Sequence, residues 1–88
     1  MRIAGVVITS RFIKSYKKLP QAIKEQAKQR EVFFRADAFD ARLDTHKLHG
    51  VDKEAWAFSI TRKYRIKFIF LTNDSVLFLD VGTHDIYS

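Results

Sequence analysis

The 88-residue chain contains no cysteine. Disulfides, thiolate zinc sites and a cysteine nucleophile are therefore all excluded, and a reducing compartment is the simpler expectation. No stretch approaches the ~18 apolar residues of a membrane span, and the apolar run within residues 1–8 is too short for a secretory signal. A soluble, cytoplasmic protein without a membrane partner is expected. Repeats, linkers and low-complexity tracts are missing too. A second core has no room, so residues 1–88 read as one domain. Acidic residues are scarce early in the chain: residues 1–36 carry nine Lys or Arg and two Asp or Glu, against seven and eight in residues 37–88. The net charge of +6 is thus concentrated in one half, pointing to an anionic partner, either nucleic acid or an acidic protein.

What is present is enough to fold. Apolar residues make up 47% of the chain, and size scaling gives about 5,400 Å² of folded surface against roughly 15,000 Å² unfolded. Val6, Val7 and Ile8 form a β-branched run, and Thr9 or Ser10 can cap a helix after it. Phe12, Ile13, Tyr16 and Leu19 recur on one helical stripe, with Lys14, Lys17 and Lys18 elsewhere. The single proline, Pro20, ends that helix and suits the start of a second, in which Ile23, Ala27, Arg30 and Phe34 share a side. Periodicity fades from Asp37 to Lys53. Phe39, Leu43 and Leu48 anchor this segment, and residues 44–50 read as a polar loop. The period then switches to two, predicting strands over residues 56–61, 64–71 and 76–82 joined by hairpins. The fold class is α+β, ordered βααβββ, with an N-terminal strand and a helical hairpin packed on one face of an antiparallel sheet.

Register sorts the side chains. A symmetric turn at residues 72–75 pairs Lys67 with Asp80, Arg65 with Gly82, Ile66 with Val81, Phe68 with Leu79 and Phe70 with Leu77. A two-residue turn at Arg62-Lys63 pairs Phe58 with Lys67 and Trp56 with Ile69. The helix-free face then carries Trp56, Phe58, Arg65, Lys67 and Asp80. Cations interleaved with rings suit single-stranded nucleic acid, because bases stack while cations meet phosphates.

All three histidines, His46, His49 and His84, fall in loop or chain-end segments, where chemistry concentrates. No carboxylate spacing accompanies them, so neither metal nor cofactor is expected. RNA carries its own nucleophile, the 2′-hydroxyl, and its cleavage needs a base, an acid and cations for the phosphorane charge. His46 or His49, together with His84, supplies the imidazoles. Arg65, Lys67, Lys47 and Lys63 supply cations.

The strings Phe12…Tyr16-Lys17-Lys18-Leu19-Pro20, His46-Lys47-Leu48-His49-Gly50, Tyr64-Arg65-Ile66 and Val81-Gly82-Thr83-His84-Asp85-Ile86-Tyr87 resemble the RelE/ParE toxin superfamily, and within it RelE-like members of the YafQ and YoeB kind. The resemblance implies the toxin of a type II toxin-antitoxin system, a ribosome-dependent mRNA endoribonuclease (mRNA interferase) working in the A site without metal. It also implies a cognate acidic antitoxin that neutralises it. By position it implies His46 as general base, Arg65 as phosphate ligand, His84 as acid or charge stabiliser and Tyr87 as the aromatic that orients substrate. Lys47, His49, Lys63, Lys67 and Trp56 are the expected RNA contacts. Trp56 and Phe58 stand where RelE keeps lysines, and Asp80 stands where YafQ-like members keep an arginine. A ParE-like gyrase inhibitor, and an RNA- or protein-binding member without catalysis, are the alternatives. The antitoxin is expected to dock against the rings of Trp56 and Phe58.

Overall fold

A computed structural model of the chain describes residues 1–50 and 54–87. Strand β1 (Gly5–Ile8) leads into helix α1 (Ser10–Lys17), then α2 (Gln21–Ala36), a 3₁₀ turn (Ala41–Leu43), β2 (His46–Lys47), β3 (Trp56–Ser59), β4 (Arg65–Phe70), β5 (Ser75–Gly82) and a last 3₁₀ turn (His84–Tyr87). The five strands lie in the order β1-β5-β4-β3-β2. The expected α+β architecture is present, with two differences. The sheet is mixed, because β1 runs parallel to β5, and an extra two-residue strand, β2, lies inside the segment expected to be loop. Two residues are too few to display a period of two, so composition alone does not reveal such an edge strand.

Local chemistry explains the helices. Thr9 caps α1 by accepting from the Phe12 amide at 3.1 Å, and its hydroxyl also reaches the Phe78 and Leu79 carbonyls. Lys14 and Lys17 complement the negative end of its dipole. Pro20, which has no amide hydrogen to leave unsatisfied, opens α2. The Tyr16 hydroxyl donates to the Lys24 carbonyl and ties the two helices together.

The core lies between the helices and one sheet face. Phe34 of α2 is fully buried, stacked on Phe58 with ring centroids 4.4 Å apart and meeting Phe68 and Phe78 at 5.0 and 5.9 Å. The accessible surface of 5582 Å² is close to the value expected from size.

The register corrects the assignment of β3. Its connection to β4 is one residue longer than expected. The Ile60 and Thr61 amides both reach the Tyr64 carbonyl, while the Thr61 hydroxyl accepts from the Lys63 and Tyr64 amides. Partners are therefore Trp56–Phe68, Ala57–Lys67, Phe58–Ile66 and Ser59–Arg65. One residue of slip turns every side chain of a strand to the other face. Phe58 is core, and Trp56 sits on the helix side, edge-on to Phe39 and Phe70. The aromatic platform expected on the helix-free face, and the docking patch built on it, do not exist there.

Between β4 and β5, Arg65–Gly82, Ile66–Val81 and Lys67–Asp80 pair as expected. Beyond a bulge the partners become Phe68–Phe78, Ile69–Leu77 and Phe70–Val76. The turn is one residue tighter than a symmetric four-residue loop, closed by Leu71 and Thr72 amides on the Ser75 carbonyl, and the bulge absorbs the difference.

Candidate active site

Two rows of side chains cross the sheet face away from the helices. His46, Ala57, Lys67 and Asp80 are successive register partners across β2 to β5, and Ser59, Arg65 and Gly82 form the next row. Ordinary strand spacing puts the His46 and Lys67 backbones about 10 Å apart. The 3₁₀ turn His84–Tyr87 folds back over this face. Ile86 lies where a side chain at residue 82 would have to go: a Cβ on Gly82 would stand 3.0 Å from its Cγ2. Glycine at 82 is what lets the turn lie this close.

The turn delivers two of the expected residues. His84 is exposed and meets the Tyr87 ring edge-on at 5.7 Å. The Tyr87 hydroxyl is buried beside the Arg65 guanidinium, yet no partner meets it in hydrogen-bond geometry. Burial pushes its pKa up, the Arg65 cation opposes that rise, and the Asp44 carboxylate adds to it. Tyr87 is therefore a neutral phenol near neutral pH.

His46 is oriented by its own chain. Asp44 adopts a left-handed conformation, φ 50°, which Asp tolerates better than most residues. Its carbonyl accepts from His46 Nδ1 at 2.9 Å. A carbonyl only accepts, so Nδ1 carries a hydrogen, and in the neutral ring it is Nε2 that holds the lone pair a base needs. Arg65 is similarly tethered, donating through Nη1 to the Thr61 carbonyl.

His46, Arg65, Lys67, His84 and Tyr87 are thus brought onto or over one face. Other expected residues are not. Lys47 pairs with Trp56 and alternates to the opposite side from His46. Lys63 sits in the β3–β4 turn with its ammonium 5.9 Å from the Tyr64 ring. Trp56 belongs to the helix side, and His49 is exposed beyond β2. Asp80 is not an exposed partner of Lys67. It is 7% exposed, accepts from the Val81 amide and meets the Arg11 guanidinium at 3.2 Å, which ties α1 to β5. Among the described residues no three His, Cys, Asp or Glu side chains gather as a metal site, and no helix is long and apolar enough to cross a membrane.

Sequence reasoning missed Asp44, whose backbone sets the His46 tautomer. It also missed a groove of about 380 Å³ lined by Arg30, Arg42, Arg62 and Arg65 along with Asp44. Arg42 there is held by Asp40 through two hydrogen bonds, which bring the Asp40 carboxyl down to about 2.

No protein-family model and no curated protein sequence matches the chain. Solved structures do match its fold. A YoeB/ParE toxin from Agrobacterium tumefaciens superposes with a TM-score of 0.74 at 14% identity, covering 91% of this chain and 98% of that one. YafQ from E. coli strain BL21(DE3) gives 0.72 at 17% identity, covering 98% and 97%. The archaeal RelE-RelB complex from Pyrococcus horikoshii OT3 gives 0.71 at 16%, covering 94% and 96%. The chain has the RelE-like toxin fold.

Proposed function

We propose that this chain, with the fold of the RelE, YoeB and YafQ toxins, is the toxin of a type II toxin-antitoxin pair and cleaves mRNA on the ribosome by acid-base transesterification. The observation that carries this reading is a set of groups sharing one sheet face: the His46 imidazole, its Nδ1 held by the Asp44 carbonyl, and the Arg65 guanidinium with the Tyr87 phenol buried beside it. His46 Nε2 takes the proton from a ribose 2′-hydroxyl, and O2′ attacks phosphorus. The bond to O5′ breaks as His84 donates a proton to it, leaving a 2′,3′-cyclic phosphate and a 5′-hydroxyl. Arg65 and Lys67 balance the charge on the phosphorane, and Tyr87 orients the strand. An open sheet face leaves RNA to be aligned from outside, which the ribosome provides. Induced expression with mapping of transcript ends tests this. New 5′-hydroxyl ends should appear inside translated codons and vanish when initiation is blocked. Intact transcripts alongside inhibited DNA supercoiling would sink the reading in favour of a gyrase inhibitor.

The neutralising partner fits a different surface from the one first expected. A groove of about 640 Å³ between the helices and β1 has a floor of Val6, Ile8, Phe12 and Ile13 and a rim including Lys24, Lys28 and Arg35. Ile8 and Ile13 are 48% and 40% exposed, and β1 is a sheet edge. Apolar floor and basic rim match an acidic amphipathic helix of the antitoxin. Lys24→Glu with Lys28→Glu should weaken the complex by roughly tenfold or more, since like charges facing each other across an interface cost several kcal/mol. Co-expressed antitoxin should then fail to rescue growth. Unchanged affinity in calorimetry would exclude this groove.

A further inference from the structure

The arginine-lined groove has no role in the chemistry above, yet it shares Arg65 with the reactive face. We propose that it holds the ribose-phosphate backbone of the same RNA strand beyond the scissile bond, an inference that rests on the reading of the face as a ribonuclease site. Four guanidiniums from three parts of the fold meet here: Arg30 from α2, Arg42 from the 3₁₀ turn after it, and Arg62 and Arg65 from the β3–β4 hairpin. One carboxylate, Asp44, lines the groove with them. Asp40 occupies Arg42 from outside, leaving Arg30, Arg62 and Arg65 against the single carboxylate of Asp44, a net excess of two positive charges.

Such crowding of like charge opposes folding unless an anion relieves it. The heads are also partly fixed. Arg30 spends Nη1 on the Arg42 carbonyl at 3.1 Å, and Arg65 spends Nη1 on the Thr61 carbonyl. Arg42 is flattened on the Phe33 ring at 3.7 Å. Guanidiniums held this way present their remaining N–H groups as planar forks, which match phosphate oxygens better than a lysine does. The groove volume accommodates a phosphate with part of its sugar. Because Arg65 borders both places, a strand whose scissile phosphate meets Arg65 runs directly into it.

The probe is a fully 2′-O-methylated RNA oligonucleotide, which lacks the nucleophile and reports binding alone. Arg30→Gln with Arg62→Gln should weaken binding roughly tenfold at low salt and reduce the slope of log K against log salt by about 1.4, or 0.7 for each lost phosphate contact. Arg62→Gln alone, on an exposed turn, should give half the slope change with an unaltered melting curve. Lys14→Gln with Lys18→Gln, both exposed and outside either groove, removes the same charge elsewhere and should leave the slope unaltered. Wild-type affinity and slope in the Arg30/Arg62 variant would overturn the proposal, as would wild type that does not bind the oligonucleotide. If those variants weaken only the complex with the acidic antitoxin, the groove takes carboxylates and the proposal also fails. If the binding pattern holds while unmodified mRNA on ribosomes stays intact, the groove stands and the ribonuclease reading falls.

Discussion

His46→Ala should strongly slow transcript cleavage and relieve growth arrest while leaving the protein folded. A positioned general base contributes about 10²–10⁴ in rate, so cleavage of ribosome-bound mRNA in a single turnover should slow by that range. Folding should barely change. His46 lies in a two-residue edge strand and makes one side-chain hydrogen bond, to the Asp44 carbonyl. Such a bond ordinarily contributes about 0.5–1.5 kcal/mol net. His46→Asn separates orientation from basicity, because the amide still donates to Asp44 but has no lone pair of suitable basicity to take a proton. It should be as inactive as alanine. Cleavage within a few-fold of wild type in either variant, with an unchanged melting curve, would remove His46 from the mechanism.

Phe34→Ala should eliminate activity by a different route, through loss of the folded state. Phe34 is fully buried and touches Phe58, Phe68 and Phe78, one ring from each of the three inner strands. Truncating a buried Phe costs about 3–5 kcal/mol through lost transfer energy and the cavity left behind. For a domain this small each kcal/mol lowers the melting temperature by about 4–8 °C, so a drop of roughly 12–40 °C is expected. The functional consequence follows from strand geometry. Phe58 is flanked by Ala57 and Ser59 of the reactive face, and Ile66 stands between Arg65 and Lys67. Loosening the aromatic layer therefore releases the row that holds the cations in register. Thermal melting followed by circular dichroism decides the matter, and a shift of less than about 5 °C would mean that Phe34 is not the keystone of the core. The two variants form a diagnostic pair, one inactive and folded, the other inactive because it unfolds.

Much of the architecture was legible in the residues themselves. Thr9, Pro20 and the stripe of Phe12, Ile13, Tyr16 and Leu19 mark the helices, because capping and amphipathic burial are local effects. Pairing of Arg65, Ile66 and Lys67 with Gly82, Val81 and Asp80 was also legible, although by two offsetting departures: a tighter turn and a bulge. The candidate site was readable in its types more than in its geometry. His46, Arg65, Lys67, His84 and Tyr87 are gathered on or above one face. The face of Trp56 and Phe58 was not legible, because it depends on whether the Thr61 hydroxyl draws one more residue into a turn, and strand parity doubles any such error.

Composition and periodicity alone determined the helix-rich basic half, the strand-rich remainder and the supply of imidazoles and cations, since each is a property of neighbours along the chain. Tertiary structure alone decided that Asp44 sets the His46 tautomer, that the last turn folds over Gly82 to bring Tyr87 beside Arg65, and that four arginines share one groove. Those arrangements join residues up to tens of positions apart, and their geometry follows from register, turn length and packing rather than from any local preference.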